Sequence, residues 1–270
     1  MIMTNFLKNR KSVRDFKNKK VDTKVLEDIK LYLDILEKEE SNGSIKFNIY
    51  EYGEKLYNDL KGLGGYSGVM IDSPHYIGLE IMNNQEKSTI YGAYYMEKLI
   101  SKLNSLGLDT CWVSISDVDK DAKNKILGEK VGEVNYLLAI GYSKPRNPFA
   151  TETFSERIGV EDMVFNHKIG NPINMEDLEN RGLSDLLYYV RFAPSARNRQ
   201  PWRFLLGDDK ITLLLENKEG EESNLMDAGI IMYYFEALAE TIGIDSRWQL
   251  SDKSHNDEKS EYKYIAELKL

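Results

Sequence analysis

The chain has 270 residues, 41% hydrophobic and 30% charged, enough for one large domain or two modest ones with an apolar core. A net charge of −8, with lysines interleaved among acids, excludes a general nucleic-acid surface because no basic stripe offsets the repulsion. The single cysteine, Cys111, excludes an internal disulfide or cysteine-based zinc site; His75, His167 and His255 lack metal-ligand spacing, and no apolar run reaches the roughly 18 residues of a membrane span.

Met1 to Lys11 lacks the apolar stretch of roughly 7–15 residues that marks a secretory signal, so the expected compartment is the cytoplasm. Val21 to Glu39 carries Val25, Ile29, Leu33 and Leu36 at helical spacing behind Asp22, a fitting N-cap. After the Asn42-Gly43 turn, Ile45 to Tyr50 alternates as a strand. Gly62, Gly64, Gly65 and Gly68 punctuate a turn region, and His75 to Met82 reads as a buried strand. Tyr91 to Leu106 is a helix stopped by Gly107 at a C′ position, Val134 to Tyr142 is an apolar strand, and Lys144 to Pro148 is a turn.

Residues 150 to 180 read as a connection, after which the plan recurs. Leu183 to Phe192 is a helix, Pro194 to Pro201 a loop, and Trp202 to Leu206 and Lys210 to Glu216 are strands. Asp227 to Ile242 is a helix ended by Gly243, and Tyr262 to Leu270 a terminal strand. An offset of 136 matches Met96 with Met232, Gly107 with Gly243, Asp109 with Asp245 and Trp112 with Trp248; an offset of 157 puts Asp28, Tyr32 and Phe47 on Asp185, Tyr189 and Phe204. A duplicated unit is expected, with a first half over residues 1–150, a connection over 151–180 and a second half over 181–270.

Two segments carry chemistry. In Arg10-Lys11-Ser12-Val13-Arg14-Asp15-Phe16, cations and a hydroxyl suit a phosphate, while a basic face paired with neighbouring acids is the plainer alternative. In Ala193-Pro194-Ser195-Ala196-Arg197-Asn198-Arg199-Gln200-Pro201, two prolines stiffen a loop of small residues that backbone and a planar ligand can share, with Ser195 and Asn198 as polar handles. Read without a ligand, it is a capping turn; Trp202 and Phe204 read as core, and Cys111 as a small buried hydrophobe.

These segments, Arg-Lys-Ser-Val-Arg-Asp-Phe and Ala-Pro-Ser-Ala-x-Asn-x-Gln-Pro-Trp-x-Phe, resemble the two signature motifs of the FMN-dependent nitroreductase family. Leu106-Gly107-Leu108-Asp109-Thr110-Cys111-Trp112-Val113 resembles that family's helix end beside the flavin. The resemblance implies an α+β fold: two related halves, each a mostly antiparallel sheet packed by helices, arranged as a pseudo-two-fold fused dimer of the tandem type. It implies that Arg10, Lys11 and Ser12 hold the FMN phosphate and ribityl chain, with Arg14 at the N1/O2 edge. Backbone around Trp112, Val113 and Ser114 would face N5 and O4, and Pro194, Ser195, Ala196 and Asn198 would cover the ring. Arg146 resembles a further basic residue at the phosphate, and Tyr66 is the candidate for a substrate-pocket wall or, equally, a turn aromatic.

Each half departs from the family pattern in a complementary way. The first has Glu-Glu-Ser-Asn-Gly-Ser where the Pro-Ser loop belongs, and the second has Glu179 to Ser184 where the basic motif belongs. One working flavin site, completed within one chain, is therefore expected. The implied activity is ping-pong transfer of hydride from NAD(P)H, as co-substrate, to a small electron-poor acceptor such as a nitroaromatic or quinone, with no catalytic side chain, metal, nucleic acid or membrane. The alternatives are a specialised family member acting on one metabolite, or a flavin-binding or regulatory protein without turnover.

Overall fold

The computed structural model describes residues 10–129, 132–145, 155–217, 225–251 and 261–270. These residues divide into two compact units, one up to residue 145 and one from residue 155 onward.

The first unit opens with helix α1 (Thr23–Glu40), whose Asp22 side chain accepts the Lys24 N–H and whose end is turned by Ser41 in the left-handed region. Its buried stripe is Leu26, Ile29, Leu33 and Leu36, so Leu26 takes the inward position expected for Val25. Strands β1 (Ile45–Tyr50), β2 (His75–Ile81), β3 (Asp109–Ser114) and β4 (Glu133–Gly141) form a sheet in the order β1-β2-β4-β3. All its pairings are antiparallel. Helix α2 (Gly53–Leu60) follows β1, α3 (Glu86–Ser105) follows β2, and α4 (Lys120–Leu127) follows β3 with Asp119 accepting two first-turn N–H groups. α3 begins five residues before the expected Tyr91, because its polar first turn still buries Ser88 and Ile90. The eight-residue α2 and α4 are too short to leave a periodic signature.

In the second unit, α5 (Val160–Met163), β5 (Val164–Asn166) and α6 (Met175–Asn180) occupy the stretch expected as a plain connection. Then come α7 (Ser184–Val190), β6 (Trp202–Leu206), β7 (Lys210–Glu216), α8 (Leu225–Ala239), β8 (Gln249–Leu250) and β9 (Tyr262–Lys269). The sheet order is β5-β6-β7-β9-β8, with β5 parallel to β6 and the remaining pairs antiparallel. α8 is apolar nearly all round and buried nearly all round, as that composition demands. Phe204 of β6, Phe235 of α8 and Trp248 pack with ring centroids 5.2–6.3 Å apart.

The two units repeat one plan in detail. Strands β1-β2-β4-β3 and β6-β7-β9-β8 occupy the same order. Phe47 faces Leu79 and a bulge follows at Leu79/Glu80; Phe204 faces Leu213 and a bulge follows at Leu213/Leu214. Both intervening helices end on a left-handed glycine, Gly107 (φ 76) and Gly243 (φ 84). The next residue closes the same turn in each, Leu108 N–H to Leu103 O at 3.0 Å and Ile244 N–H to Ala239 O at 3.1 Å. The main difference is the connection between the first two strands, residues 51–74 in the first unit against Gly207 to Asp209 in the second. That insertion holds α2 and the glycine loop.

Candidate functional site

In the first unit the basic N-terminal segment lies along the outer edge of β3. Ser12 bridges Thr110 in parallel, the Val13 N–H bonds to Thr110 O at 2.8 Å, and Phe16 bridges Ser143. Val13 and Phe16 turn inward, with 7% and 5% exposure, while Lys11, Ser12 and Arg14 are exposed. This covers an otherwise open strand edge and presents two cations and a hydroxyl together.

Arg10 is placed differently. Its Nη2 and Nε bond to the two carboxylate oxygens of Glu97 at 2.6 and 3.2 Å, and its Nη1 donates to Ser12 Oγ at 3.1 Å. Glu97, on α3, also accepts the indole N–H of Trp112 at 2.8 Å. The Arg10 and Glu97 side chains are 7% and 1% exposed. Glu97 therefore joins the basic segment to β3, a role no motif announced. An acid between Met96 and Ile100, on the apolar face of a helix, is the sequence signal that could have found it.

The remaining first-half candidates gather on the same strand. Trp112 packs edge-on against Tyr136 at 5.9 Å, Val113 is buried, and Ser114 is exposed. Ser114 O accepts the Gly65 N–H at 2.8 Å, which fastens the glycine loop to the end of β3. Gly62 N–H closes that loop on Gly68 O at 3.1 Å, and the Val69 N–H bonds to Tyr66 O at 3.0 Å. The loop holds Leu63, Tyr66 and Val69 outward at 52%, 77% and 66% exposure. Cys111 lies between these groups with its thiol pushed up by burial, an effect that Arg14 and Arg10 oppose, as expected of a packed rather than nucleophilic sulfur. Arg146 lies outside the described residues.

In the second unit the Pro194–Pro201 loop contains a 3-10 turn (Ala196–Asn198) and three non-glycine residues at positive φ: Arg197, Asn198 and Gln200. Such conformations persist where surrounding bonds over-determine them. Ser195 Oγ accepts the Gln200 N–H at 2.9 Å. Asn198 accepts from Arg157 Nη1 at 2.9 Å and donates to Glu156 O at 2.9 Å, so its amide is committed to the segment ahead of α5. The Ala196 N–H bonds to Asp227 in the first turn of α8 at 3.0 Å. Asp227 is 1% exposed, and burial pushes its carboxyl up to about 7 against the pull of the Ala196 N–H and Arg199. Its Oδ2 has no hydrogen-bond partner among the described residues.

A family model described as "Putative TM nitroreductase" matches residues 3–239. No curated protein matches the sequence. The solved structure of a "putative nitroreductase" from Thermotoga maritima aligns with a TM-score of 0.63 at 18% identity, covering 99% of this chain and 93% of that one, a likeness of fold. An FMN-dependent nitroreductase from Clostridium difficile aligns with a TM-score of 0.46 at 20% identity over 53% of this chain and 89% of that one. A nitroreductase with bound FMN from Bacteroides fragilis aligns at 0.46 and 17% identity over 57% and 94%.

Proposed function

The chain belongs to the family described as "Putative TM nitroreductase", and on that premise we propose that it is an FMN-dependent oxidoreductase that moves hydride from NAD(P)H to electron-poor acceptors such as nitroaromatics or quinones. The observation that carries this reading is the meeting on one edge strand of Lys11, Ser12 and Arg14, the backbone of Trp112 to Ser114, and the loop bearing Tyr66.

A flavin 5′-phosphate requires cations and neutral donors, which Lys11, Arg14 and the Ser12 hydroxyl offer at the surface. An isoalloxazine requires an apolar neighbour and main-chain partners; Leu63, Tyr66 and Val69 offer the first beside Ser114. The residues present fit the group. When bound, FMN supplies the two-electron chemistry, loaded by NAD(P)H and discharged to the acceptor in alternate visits. Arg14 contributes a fixed positive charge that favours a ligand carrying added electrons. Tyr66 and its neighbours present an apolar surface for an aromatic acceptor and reduce water beside it. Pro194, Ser195, Ala196 and Asn198 belong to the same reading through the motif they form, as does Arg146. Each motif occurs once in the chain, so no partner chain has to supply either.

The test is direct. A yellow preparation, or one that FMN turns yellow, should bleach anaerobically with NADH or NADPH and recover its colour when a nitroaromatic is added. A colourless protein that FMN does not reconstitute would sink the proposal. A second reading, a flavin-binding protein without turnover, draws support from the internal bonds that occupy Arg10 and Asn198. Bound flavin that neither nicotinamide bleaches selects it.

A further inference from the structure

Helix α4 buries a cation. Lys120, Lys123, Asn124 and Leu127 share one face of it at helical spacing, and Lys123 is 7% exposed, as buried as Leu127. Its ammonium donates to Asn135 Oδ1 at 2.6 Å, and the carboxylate that pairs with it, Glu133, stands 3.7 Å away with its side chain 60% exposed. A lysine is seldom buried unless its charge is matched, and a neutral amide with a solvated carboxylate matches it incompletely. The flavin reading makes no use of this group.

The Lys123 side chain borders a cavity of about 300 Å³ between α4 and the paired ends of β2 and β4, where Ile81 faces Glu133. The cavity lies on the β2 flank of β4, whereas the basic segment follows β3 on the other flank. Its lining, among the described residues, combines two chemistries. Lys120, Asn84 and Asn124 add a second cation and two amides, while Ile81, Leu127 and Val134 add an apolar wall. Two ammoniums against the Glu133 carboxylate leave one net positive charge, which a monoanion balances and a phosphate dianion overshoots. The volume stands at the lower limit for a small-molecule site and suits a compact ligand.

We propose that this cavity is a second ligand site, independent of the flavin, that takes a short-chain organic monocarboxylate. The carboxylate meets Lys123 and Lys120, and the carbon chain runs along Ile81, Leu127 and Val134.

The test is calorimetric titration of the whole chain with butyrate, acetate and inorganic phosphate, at one ionic strength set with sodium chloride. Butyrate should bind at one equivalent, about five- to tenfold more tightly than acetate, because two more methylenes leave water. Lys123→Met nearly keeps the side chain's volume, so it should weaken butyrate at least about tenfold while the thermal melt holds or rises. Should that variant not fold, Asn124→Ala and Lys120→Ala, half-buried and exposed, should each weaken butyrate about threefold or more. Arg14→Ala, on the β3 edge, should leave butyrate binding unchanged. No butyrate binding up to about 10 mM, equal affinities for acetate and butyrate, or tighter binding of phosphate that Lys123→Met abolishes would overturn the proposal. So would butyrate binding that Lys123→Met leaves intact or that Arg14→Ala removes.

Discussion

Asp227 is buried in the first turn of α8 with one oxygen on the Ala196 N–H and the other unpartnered among the described residues. Its carboxyl, pushed up to about 7 from 3.8, is neutral in the folded chain where an unfolded one would already be ionised. The folded value is the higher one, so the stability it contributes is full below about pH 4 and is lost as pH rises through 7. Asp227→Asn keeps an acceptor for Ala196 and removes the titration. The variant should gain on the parent by about 2–3 kcal/mol between pH 5 and pH 8, read from urea unfolding at the two values. A constant difference across that range would show that the carboxyl does not titrate there. At this scale the motif residues were legible in the sequence and their supports were not. Lys11, Ser12 and Arg14 stand together in one short segment, whereas Arg10 meets Glu97 across 87 positions and Asn198 meets Arg157 across 41. Pairings of that reach depend on how the elements pack, which no spacing within either segment encodes.

Among elements, legibility followed length and contrast. α1 shows its apolar stripe and its Asp22 cap, and β1 its alternation, so both lie within two residues of their expected limits. α5 and α6, with four and six residues, have no period to read, and two-residue β8 owes its existence to pairing with β9. The glycine loop was legible as a turn, but not as a structure fixed to β3. Gly65 explains the attachment: at φ 79 its N–H reaches Ser114 O, and an added Cβ would lie 2.1 Å from Val69 O. Gly107 at φ 76 has open space around its missing side chain. Gly107→Ala should therefore cost only the left-handed penalty of about 1–2 kcal/mol. Gly65→Ala adds a backbone collision and should cost at least about 1 kcal/mol more, with Tyr66 displaced. Urea unfolding of the two variants checks the order; equal losses would mean that the loop yields freely and Tyr66 is not held in place.

At the scale of the whole chain, one folding unit occurs twice and carries its two motifs unequally. Shared strand order, matching bulges and matching glycine-ended helices show that neither unit lost its frame. What diverged is what lies on the frame. In the first unit, β3 has the Lys11–Arg14 segment on its free side and the glycine loop at its end. In the second, β8, which stands where β3 does, is one of the two outer strands among the described residues, and the β6–β7 connection is three residues with no room for such a loop. The stretch standing where the basic segment belongs ends α6, and its one cation, Arg181, donates to the carbonyls of Gly207 and Asp208. That guanidinium serves the β6–β7 turn, and an anion would have to displace two carbonyl contacts to use it. Phosphate-bearing flavin should accordingly saturate at one equivalent per chain, measured by absorbance of bound FMN against protein after gel filtration. Arg14→Ala should lower the affinity of that equivalent by about tenfold or more, whereas Arg181→Ala should leave the affinity unchanged and cost only stability. Two equivalents, or a loss of FMN affinity on removing Arg181, would mean that the second unit binds phosphate through groups other than the motif, and the division of labour between the halves would have to be redrawn.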